Sequence, residues 1–327
     1  MDRLTQNRRL QHCSSYLHPM KKAFIQLHIA VFLAGFTAVI GKLITLDAGV
    51  LVWYRMLITG VSLIGILYFS KQLTLLSFKS TLTLFGVGTI VAMHWVAFYA
   101  SIKYSNVSVS LTCLSATGFF TAVLEPLIRG RRIDPYNLLL GTFAIAGIYL
   151  IFDFHPQFKT GIAFGILSAL LASIFPILNK NLLHTFPAKT VTLYEMLGGF
   201  FFLTLALPIY FYKFPATGFL PSAGDWMWLL ILAWACTVLT FILQLNALRK
   251  LSAFTSNLTY NLEPVYGIIL GFIIFHENKY LNWGFYLGLS LILLAVILQM
   301  GRERLKAKTL KAKSPNSEHE VSVPITP

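Results

Sequence analysis

Ten stretches of about 20 apolar residues each, separated by short polar links, make up nearly the whole chain. A helix of that length crosses the hydrocarbon core of a bilayer, which is about 30 Å thick. The chain is 56% hydrophobic and 12% charged, whereas a soluble domain has about 25% charged residues. We therefore predict an all-α integral membrane protein with ten transmembrane helices. The predicted spans are residues 23–44, 48–69, 81–101, 107–128, 136–152, 161–183, 190–212, 226–247, 253–275 and 280–300.

The basic residues are distributed unevenly between the two sides of these spans. With the N-terminus in the cytoplasm, 20 of the 26 Lys and Arg residues lie on the cytoplasmic side, five lie on the other side, and Arg55 lies within a span. Lys and Arg accumulate in the cytoplasmic links of membrane proteins. We therefore predict that both termini are cytoplasmic. The net charge of +14 then follows from topology, so we predict a lipid bilayer, and no nucleic acid, as a partner.

The two ends of the chain differ in composition from the predicted spans. Residues 1–22 are predicted to form a cytoplasmic N-terminal segment, in which Met20 is an alternative to Met1 as the natural start. Residues 301–327 are first basic and then polar and Pro-containing, a composition that buries too little apolar surface to fold. We predict that they form a disordered cytoplasmic tail.

The two halves of the chain contain related segments. The tetrapeptide YRML around Arg55 returns 140 residues later as YEML around Glu195. Residues 100–110 also overlay on residues 246–256, at a spacing of 146. These matches predict that the chain contains two repeats of five helices each.

The two predicted repeats are residues 23–152 and residues 161–300. Because five is an odd number, the second repeat enters the membrane from the opposite side, which gives the repeats inverted topology. Inverted repeats allow one central site to be exposed alternately to each side of the membrane. This pattern favours a transporter over a duplication that serves packing alone. The spacing of 146 also sets Arg131 of the first repeat at the position of Glu277 in the second.

Two segments, residues 94–133 and 247–293, resemble the bacterial EamA domain of the drug/metabolite transporter superfamily. The second-half features that carry this resemblance are a Leu-Arg-Lys triplet, Pro264, Glu277 and Gly288. The first half departs from the pattern, because Arg131 stands in place of the glutamate and Gly118 in place of the proline. The resemblance implies a transporter of the bacterial inner membrane, and not an enzyme. It further implies export or exchange of small metabolites, often amino acids, through a cavity between the halves, with no cofactor or metal ion.

Two ionisable residues, Arg55 and Glu195, lie inside predicted spans. An arginine near the middle of a lipid-spanning helix costs about 2.5–3.5 kcal/mol on insertion scales. Both residues are therefore expected to face the interior of the bundle. Each lies about 10 Å deep, from opposite faces of the membrane, at the helical rise of about 1.5 Å per residue. We predict that they are gating residues or charge partners. The alternative is that local hydrogen bonds satisfy each of them and that they fix packing.

The predicted span 81–101 carries His94, Trp95 and Tyr99, which we predict to bind the substrate. Trp95 and Tyr99 share a helical face with Gly88, which predicts room for a ligand beside the indole. A neutral His94 is expected to act as a hydrogen-bond partner or proton acceptor. The alternative is that His94 is a core histidine bonded to a neighbouring helix.

The predicted span 253–275 contains the remaining candidates. Pro264 has no N–H to donate to the carbonyl four residues earlier, which predicts a helix break at mid-membrane. Glu263 lies beside this break and is predicted to bind a substrate amine or a coupling proton. Further polar side chains of this span complete the predicted substrate site: Asn257, Tyr260 and Asn261.

Two alternative functions remain open. An intramembrane lipid-modifying enzyme would need clustered carboxylates, metal ligands or a nucleophile–base pair, and the short links are poor in acidic residues. A nucleotide-sugar or sugar-phosphate exchanger would favour several buried cations, and Arg55 alone lies within a span, so a zwitterionic or weakly charged metabolite is preferred. The GxxxG pairs favour internal packing but also fit a dimer face, so monomer and homodimer both stay open.

Overall fold

A computed structural model describes residues 2–130, 132–154, 156–213, 218–248, 259 and 262–313. These ranges are helical and contain no β-strand. The α-helices, numbered in chain order, are α1 (Asp2–Leu43), α2 (Ala48–Phe69), α3 (Phe78–Tyr104), α4 (Val107–Leu114), α5 (Thr117–Arg129), α6 (Pro135–Phe154), α7 (Lys159–Thr185), α8 (Ala188–Lys213), α9 (Ala223–Ala233), α10 (Thr240–Leu248), α11 (Glu263–Phe275) and α12 (Trp283–Lys313). Short 3₁₀ turns are formed by Pro156–Phe158 and Glu277–Tyr280.

Seven helical segments of the described residues are long and apolar enough to cross a bilayer. They are Lys22–Leu43, Ala48–Phe69, Phe78–Tyr104, Val107–Arg129, Lys159–Thr185, Ala188–Tyr212 and Ala223–Gln244. The described apolar parts of the predicted fifth, ninth and tenth spans are shorter: Leu138–Ile151, Glu263–Phe275 and Trp283–Ala295. The structure therefore shows an all-helical membrane protein, while the number of ten spans stays a prediction.

The predicted span 107–128 is not one straight helix, because a turn at Ser115 and Ala116 divides it into α4 and α5. The hydroxyl of Ser115 donates to the carbonyl of Leu111 at 3.1 Å, a local bond that often bends helices. Residues Val107–Cys113 of α4 are buried, whereas α5 has no fully buried residue. Burial is therefore lower after the turn, although Phe119 of α5 still packs closely against Gly141 of α6.

The predicted span 226–247 is also interrupted. A π-helical turn, Trp234–Leu239, separates α9 from α10. The hydroxyls of Thr237 and Thr240 each donate at 2.9 Å to the carbonyl five residues earlier. A π-helical turn inside a helix is rare and is frequently found at a functional site.

Pro264 lies at the beginning of a helix and not in the middle of one. α11 begins at Glu263, with Leu262 as its N-cap residue and Pro264 in its first turn. Proline is tolerated there because the N–H groups of a first turn have no helical partner. The residues just before it, 249–258 and 260–261, lie outside the described part of the chain, so the helix break at Pro264 stays a prediction.

Both ends of the chain contain more helix than the sequence predicts. α1 begins at Asp2 and runs without interruption into the first span, and α12 continues to Lys313. The prediction of a disordered tail from residue 301 is thus wrong as far as Lys313. The reason is that Arg, Lys, Leu and Ala, which dominate this segment, have high helix propensity.

Helix α3 lies at the centre of the bundle, where it packs against both α7 and α8. At the periphery α6 packs against α12, and a Cβ on Gly147 or Gly288 would overlap the backbone of the other helix. α1 packs against α10 and α11. This arrangement places His94, Tyr99 and Ser101 of α3 in the interior, between helices of both predicted repeats.

Candidate functional site

Arg55 forms the centre of a buried polar cluster. The residue projects from α2 and is only 3% exposed. Its guanidinium carbon lies 3.7 Å from the centre of the Trp95 ring. Its Nη1 donates to the Tyr99 hydroxyl at 2.7 Å, and its Nε donates to the Thr237 hydroxyl at 3.1 Å. One aromatic face and two neutral hydroxyls therefore hold the charge in place.

Thr237 owes its position in this cluster to the π-helical turn. Its hydroxyl donates to the carbonyl of Leu232 at 2.9 Å and accepts the hydrogen bond from Arg55. One side chain thus connects the wide turn to the guanidinium, and both its donor and its acceptor are used. We call Arg55, Trp95, Tyr99 and Thr237 the Arg55 cluster.

Among the described residues, no carboxylate forms an ion pair with Arg55. The ion pairs that the structure contains are formed by other residues. A buried charge without a counter-ion is costly, unless a ligand or a more distant charge compensates it. Glu263, in the first turn of α11, interacts with Arg55 electrostatically beyond ion-pair distance. Arg55 can therefore bind an anionic group, and Glu263 can bind a cationic group nearby.

His94 faces helix α7. Its Nδ1 lies 2.9 Å from both the carbonyl oxygen and the hydroxyl oxygen of Ser168. The ring also packs against Phe98 and Phe175. These contacts favour the alternative stated from the sequence, in which His94 is a core histidine bonded to a neighbouring helix.

Glu195 lies where α3 crosses α8, and it does not contact Arg55. The residue is 3% exposed and has the amide of Asn179, on α7, as a polar neighbour. Its Oε1 has no hydrogen-bond partner among the described residues. Direct pairing with Arg55 is therefore not seen, because Arg55 is engaged by the hydroxyls of α3 and of the π-helical turn.

Gly88 makes room for helix α8 and not for a ligand. A Cβ at this position would overlap the backbone of Glu195. The expectation of free space beside Trp95 is thus corrected, since a helix crossing fills the notch that Gly88 leaves. Tyr99 fills the corresponding notch of Gly41 on α1, where a Cβ would overlap the phenol ring.

The predicted site residues fall into three groups. The structure brings Arg55, Trp95 and Tyr99 into contact and places Glu263 within electrostatic reach of them. His94 and Glu195 lie at separate helix contacts. Three further predicted residues lie outside the described part of the chain: Asn257, Tyr260 and Asn261.

Sequence reasoning missed Thr237 and Ser168. A hydroxyl residue in an apolar span usually indicates close helix packing, so neither residue is distinctive alone. The signal for Thr237 was its spacing of three from Thr240, because two threonines in one segment can bond back to the helix and distort it.

The long apolar helices define an integral membrane protein, in which the Arg55 cluster is buried. Its family is shown by sequence comparison, because the profile of the EamA-like transporter family matches residues 21–153 and again residues 159–301. The chain belongs to this family.

Relatives of the chain are also described as transporters. The uncharacterized transporter YetK of Bacillus subtilis (strain 168) is 26% identical over 274 residues, which are 78% of this chain and 80% of YetK. An uncharacterized transporter of Archaeoglobus fulgidus is 24% identical over 216 residues, 66% of this chain and 75% of that protein. A known crystal structure superposes with a TM-score of 0.55 at 12% identity, over 84% of this chain and 96% of the other, which supports the fold alone.

Proposed function

We propose that this protein exports or exchanges a small zwitterionic metabolite, an amino acid or a related compound. The observation that carries the proposal is the geometry of Arg55. Its guanidinium is buried, is oriented by Trp95, Tyr99 and Thr237, and has no adjacent carboxylate among the described residues. A planar guanidinium in this state is suited to bind the carboxylate of a substrate.

Glu263 supplies the second half of the proposed recognition. Its carboxyl group is within electrostatic reach of Arg55 and can bind the amine of the same substrate or a coupling proton. A substrate that carries both charges satisfies both residues. Among the described residues, Arg55 is also the only Lys or Arg that is buried. One cation suits a carboxylate better than a sugar phosphate, which leaves sugar-phosphate exchange as the second candidate.

The proposed mechanism is alternating access between two inverted repeats. The links at residues 44–47, 105–106 and 276–282 lie at one end of the bundle, which we call the Glu277 end. The links at residues 70–77 and 186–187 lie at the opposite end. Lys71, Lys79, Lys180 and Lys189 lie in or near the second set of links, and both termini, which lie at the same end, are rich in Lys and Arg; this distribution supports a cytoplasmic location for that end. The Glu277 end then faces outward from a bacterial inner membrane.

Glu195 is proposed to act in gating, through the helix crossing that it occupies. Opening the bundle between the repeats requires α3 and α8 to move relative to each other, and Glu195 lies at their contact with Gly88. This role replaces direct charge pairing with Arg55. The proposal applies equally to a monomer and to a homodimer.

Uptake into proteoliposomes tests the function. Vesicles that contain the purified protein would be loaded with one unlabelled amino acid at a time and assayed for uptake of its radiolabelled form, with and without a pH gradient. We expect saturable uptake of a zwitterionic amino acid. Arg55→Gln should lower kcat/KM by about 100-fold, since a charge-assisted contact contributes up to about 3 kcal/mol.

The exposed arginine Arg132 provides the matched control. Arg132→Gln should transport at the wild-type rate. Wild-type uptake by Arg55→Gln would contradict the role of Arg55. Exchange of sugar phosphates without any uptake of amino acids would favour the second candidate.

A further inference from the structure

Glu277 connects three elements at the Glu277 end of the bundle. Its Oε1 accepts hydrogen bonds from Lys42 Nζ at 2.7 Å and from the Val107 N–H at 3.0 Å. Its Oε2 accepts from the N–H and the hydroxyl of Ser108, at 2.8 and 2.6 Å. The carboxylate is 2% exposed. It therefore caps the N-terminus of α4 and pairs with the last turn of α1 at the same time.

These bonds join the two halves of the protein. Lys42, Val107 and Ser108 belong to the first match of the family profile, and Glu277 belongs to the second. Hydrogen bonds to a charged group are about twice as strong as neutral ones. A movement that separates the halves at this end must break all four bonds.

The helices that Glu277 connects are also in close contact deeper in the bundle. A Cβ on Gly35 of α1 would lie 2.9 Å from the carbonyl oxygen of Glu263. A Cβ on Gly267 of α11 would overlap the side chain of Leu111 on α4. A Cβ on Gly271 would lie 3.1 Å from Glu277 Oε2. At these three glycines, α1, α4 and α11 thus pack with little or no room for an added methyl group.

A cavity of about 400 Å³ lies at the surface of the same end. Its walls come mainly from the links, and they include Lys42, Asn106, Phe275, Glu277 and Tyr280. The side chain of Lys42 is 33% exposed and lies over the Phe275 ring at 4.4 Å. The pair of Lys42 and Glu277 therefore lines this cavity, which we call the vestibule.

The opposite end is connected by an Arg302–Asp134 ion pair at 2.7 Å, whose side chains are 26% and 30% exposed, and by single hydrogen bonds. The Tyr194 hydroxyl donates to the carbonyl of Thr74 at 3.1 Å and accepts from the Leu76 N–H at 3.2 Å. These bonds are neutral. In the register of the repeats the residue equivalent to Glu277 is Arg131, and an arginine cannot accept hydrogen bonds from a helix N-terminus. Among the residues that the structure describes, a carboxylate that caps a helix of the other repeat in this way is thus seen at the Glu277 end.

We propose that Glu277 is the gating residue that closes the path between the Arg55 cluster and the external vestibule. Its bonds to Lys42, Val107 and Ser108 hold α4 and α1 against the second repeat, and they break when this end opens. The assignment to the external side rests on the proposed orientation and on alternating access. It goes beyond the proposed substrate site, because Glu277 acts on access and not on recognition.

The native cysteine Cys236 reports on this gate. It is buried beside the Arg55 cluster, where Arg55 influences it electrostatically. The parent protein for the test carries Cys13→Ser and Cys113→Ala, which leaves Cys236 as its only thiol. Right-side-out membrane vesicles would be exposed to a charged, membrane-impermeant methanethiosulfonate reagent, and the rate of Cys236 modification would be measured.

We expect slow modification in the parent and a rise of about tenfold in Glu277→Ala, which corresponds to about 1.4 kcal/mol for opening the gate. The matched control is Glu125→Gln, which removes a carboxylate paired with Arg129 near the opposite end. This control should leave the rate unchanged. Inside-out vesicles should show no comparable rise for Glu277→Ala.

Three results would overturn the proposal. One is a parent-like rate in Glu277→Ala, and another is an equal rise in Glu125→Gln, which would indicate general loosening. The third is a rise confined to inside-out vesicles, which would reverse the assignment of sides. If Glu277→Ala does not insert into the membrane, Lys42→Met can be tested instead, because this variant leaves the cap of α4 intact. We then expect the rate of Cys236 modification to rise about threefold. An unchanged rate would contradict the proposal. The assay needs no substrate, so its failure is distinguishable from failure of the proposed transport.

Discussion

The guanidinium carbon of Arg55 lies 3.7 Å from the centre of the Trp95 indole. The two residues come from adjacent helices, α2 and α3, and both face the interior. A desolvated cation–π contact of this kind contributes about 2 kcal/mol. Because the indole covers one face of the guanidinium, the N–H groups at its edge stay directed at hydrogen-bond acceptors. The contact therefore orients the cation without neutralising it.

Replacing Trp95 tests this contact. Trp95→Leu keeps an apolar side chain but removes the aromatic face, so we expect the KM for a zwitterionic substrate to rise by about tenfold. The KM of Trp95→Phe should lie between the wild-type value and that of Trp95→Leu. The measurement is substrate titration of uptake in proteoliposomes. The exposed residue Trp283 provides the control, and an equal rise in KM in Trp283→Leu would show that the effect is not specific.

The helix crossing at Gly88 predicts a large effect of one methyl group. Gly88→Ala should lower the free energy of unfolding by about 2 kcal/mol, since overpacking against a backbone cannot be relieved by a side-chain rotation. Gly86 lies on the same helix, and a Cβ there meets nothing within 4 Å. Gly86→Ala should therefore raise stability by up to about 1 kcal/mol through helix propensity. Thermal unfolding in detergent measures the stability of both variants. Equal unfolding midpoints would contradict the close helix crossing at Gly88.

Glu195 predicts that a neutral isostere is tolerated. Its Oε1 and the Oδ1 of Asn179 are buried acceptors without hydrogen-bond partners among the described residues. Glu195→Gln adds two N–H donors to a site that has unpaired acceptors, so thermal stability should be equal or higher by about 1 kcal/mol. Glu195→Ala removes the side chain and should lower the thermal stability. A midpoint for Glu195→Gln as low as that of Glu195→Ala would show that the fold depends on the negative charge of this carboxylate.

A double-mutant cycle decides between the two interpretations of His94. If His94 serves packing through Ser168, the variants His94→Ala and Ser168→Ala should be coupled by about 0.5–3 kcal/mol in unfolding free energy. The KM for substrate should then stay at the wild-type value in both. Additive effects on stability, together with a raised KM in His94→Ala alone, would instead place His94 in the substrate site.

The apolar spans and the family could be read from the sequence, because length and hydropathy are local properties. The interruptions at Ser115 and in the segment Trp234–Leu239 could not. Both lie in spans without a clear apolar face, where the periodicity that separates a straight helix from a distorted one is absent. Local hydrogen bonds of hydroxyl side chains determine these interruptions.

The composition of the candidate site was predicted only in part. Arg55, Trp95 and Tyr99 were recognised because charge and aromatic rings are conspicuous in an apolar span. The partner Thr237 follows Arg55 by 182 residues, and no local pattern links the two. Gly88 was recognised as a gap, but which element fills a gap depends on tertiary packing.

The π-helical turn constrains how the length of this chain can vary. It holds one residue more than an α-helical turn, and each residue advances an α-helix by about 100°. Deleting a single residue between 234 and 239 would turn the whole of α10 by that angle relative to α9 and would carry Thr237 away from the guanidinium. A homologue that lacks this insertion must anchor its arginine by other means or do without one, so an alignment gap at this point marks a change in chemistry at the centre of the protein.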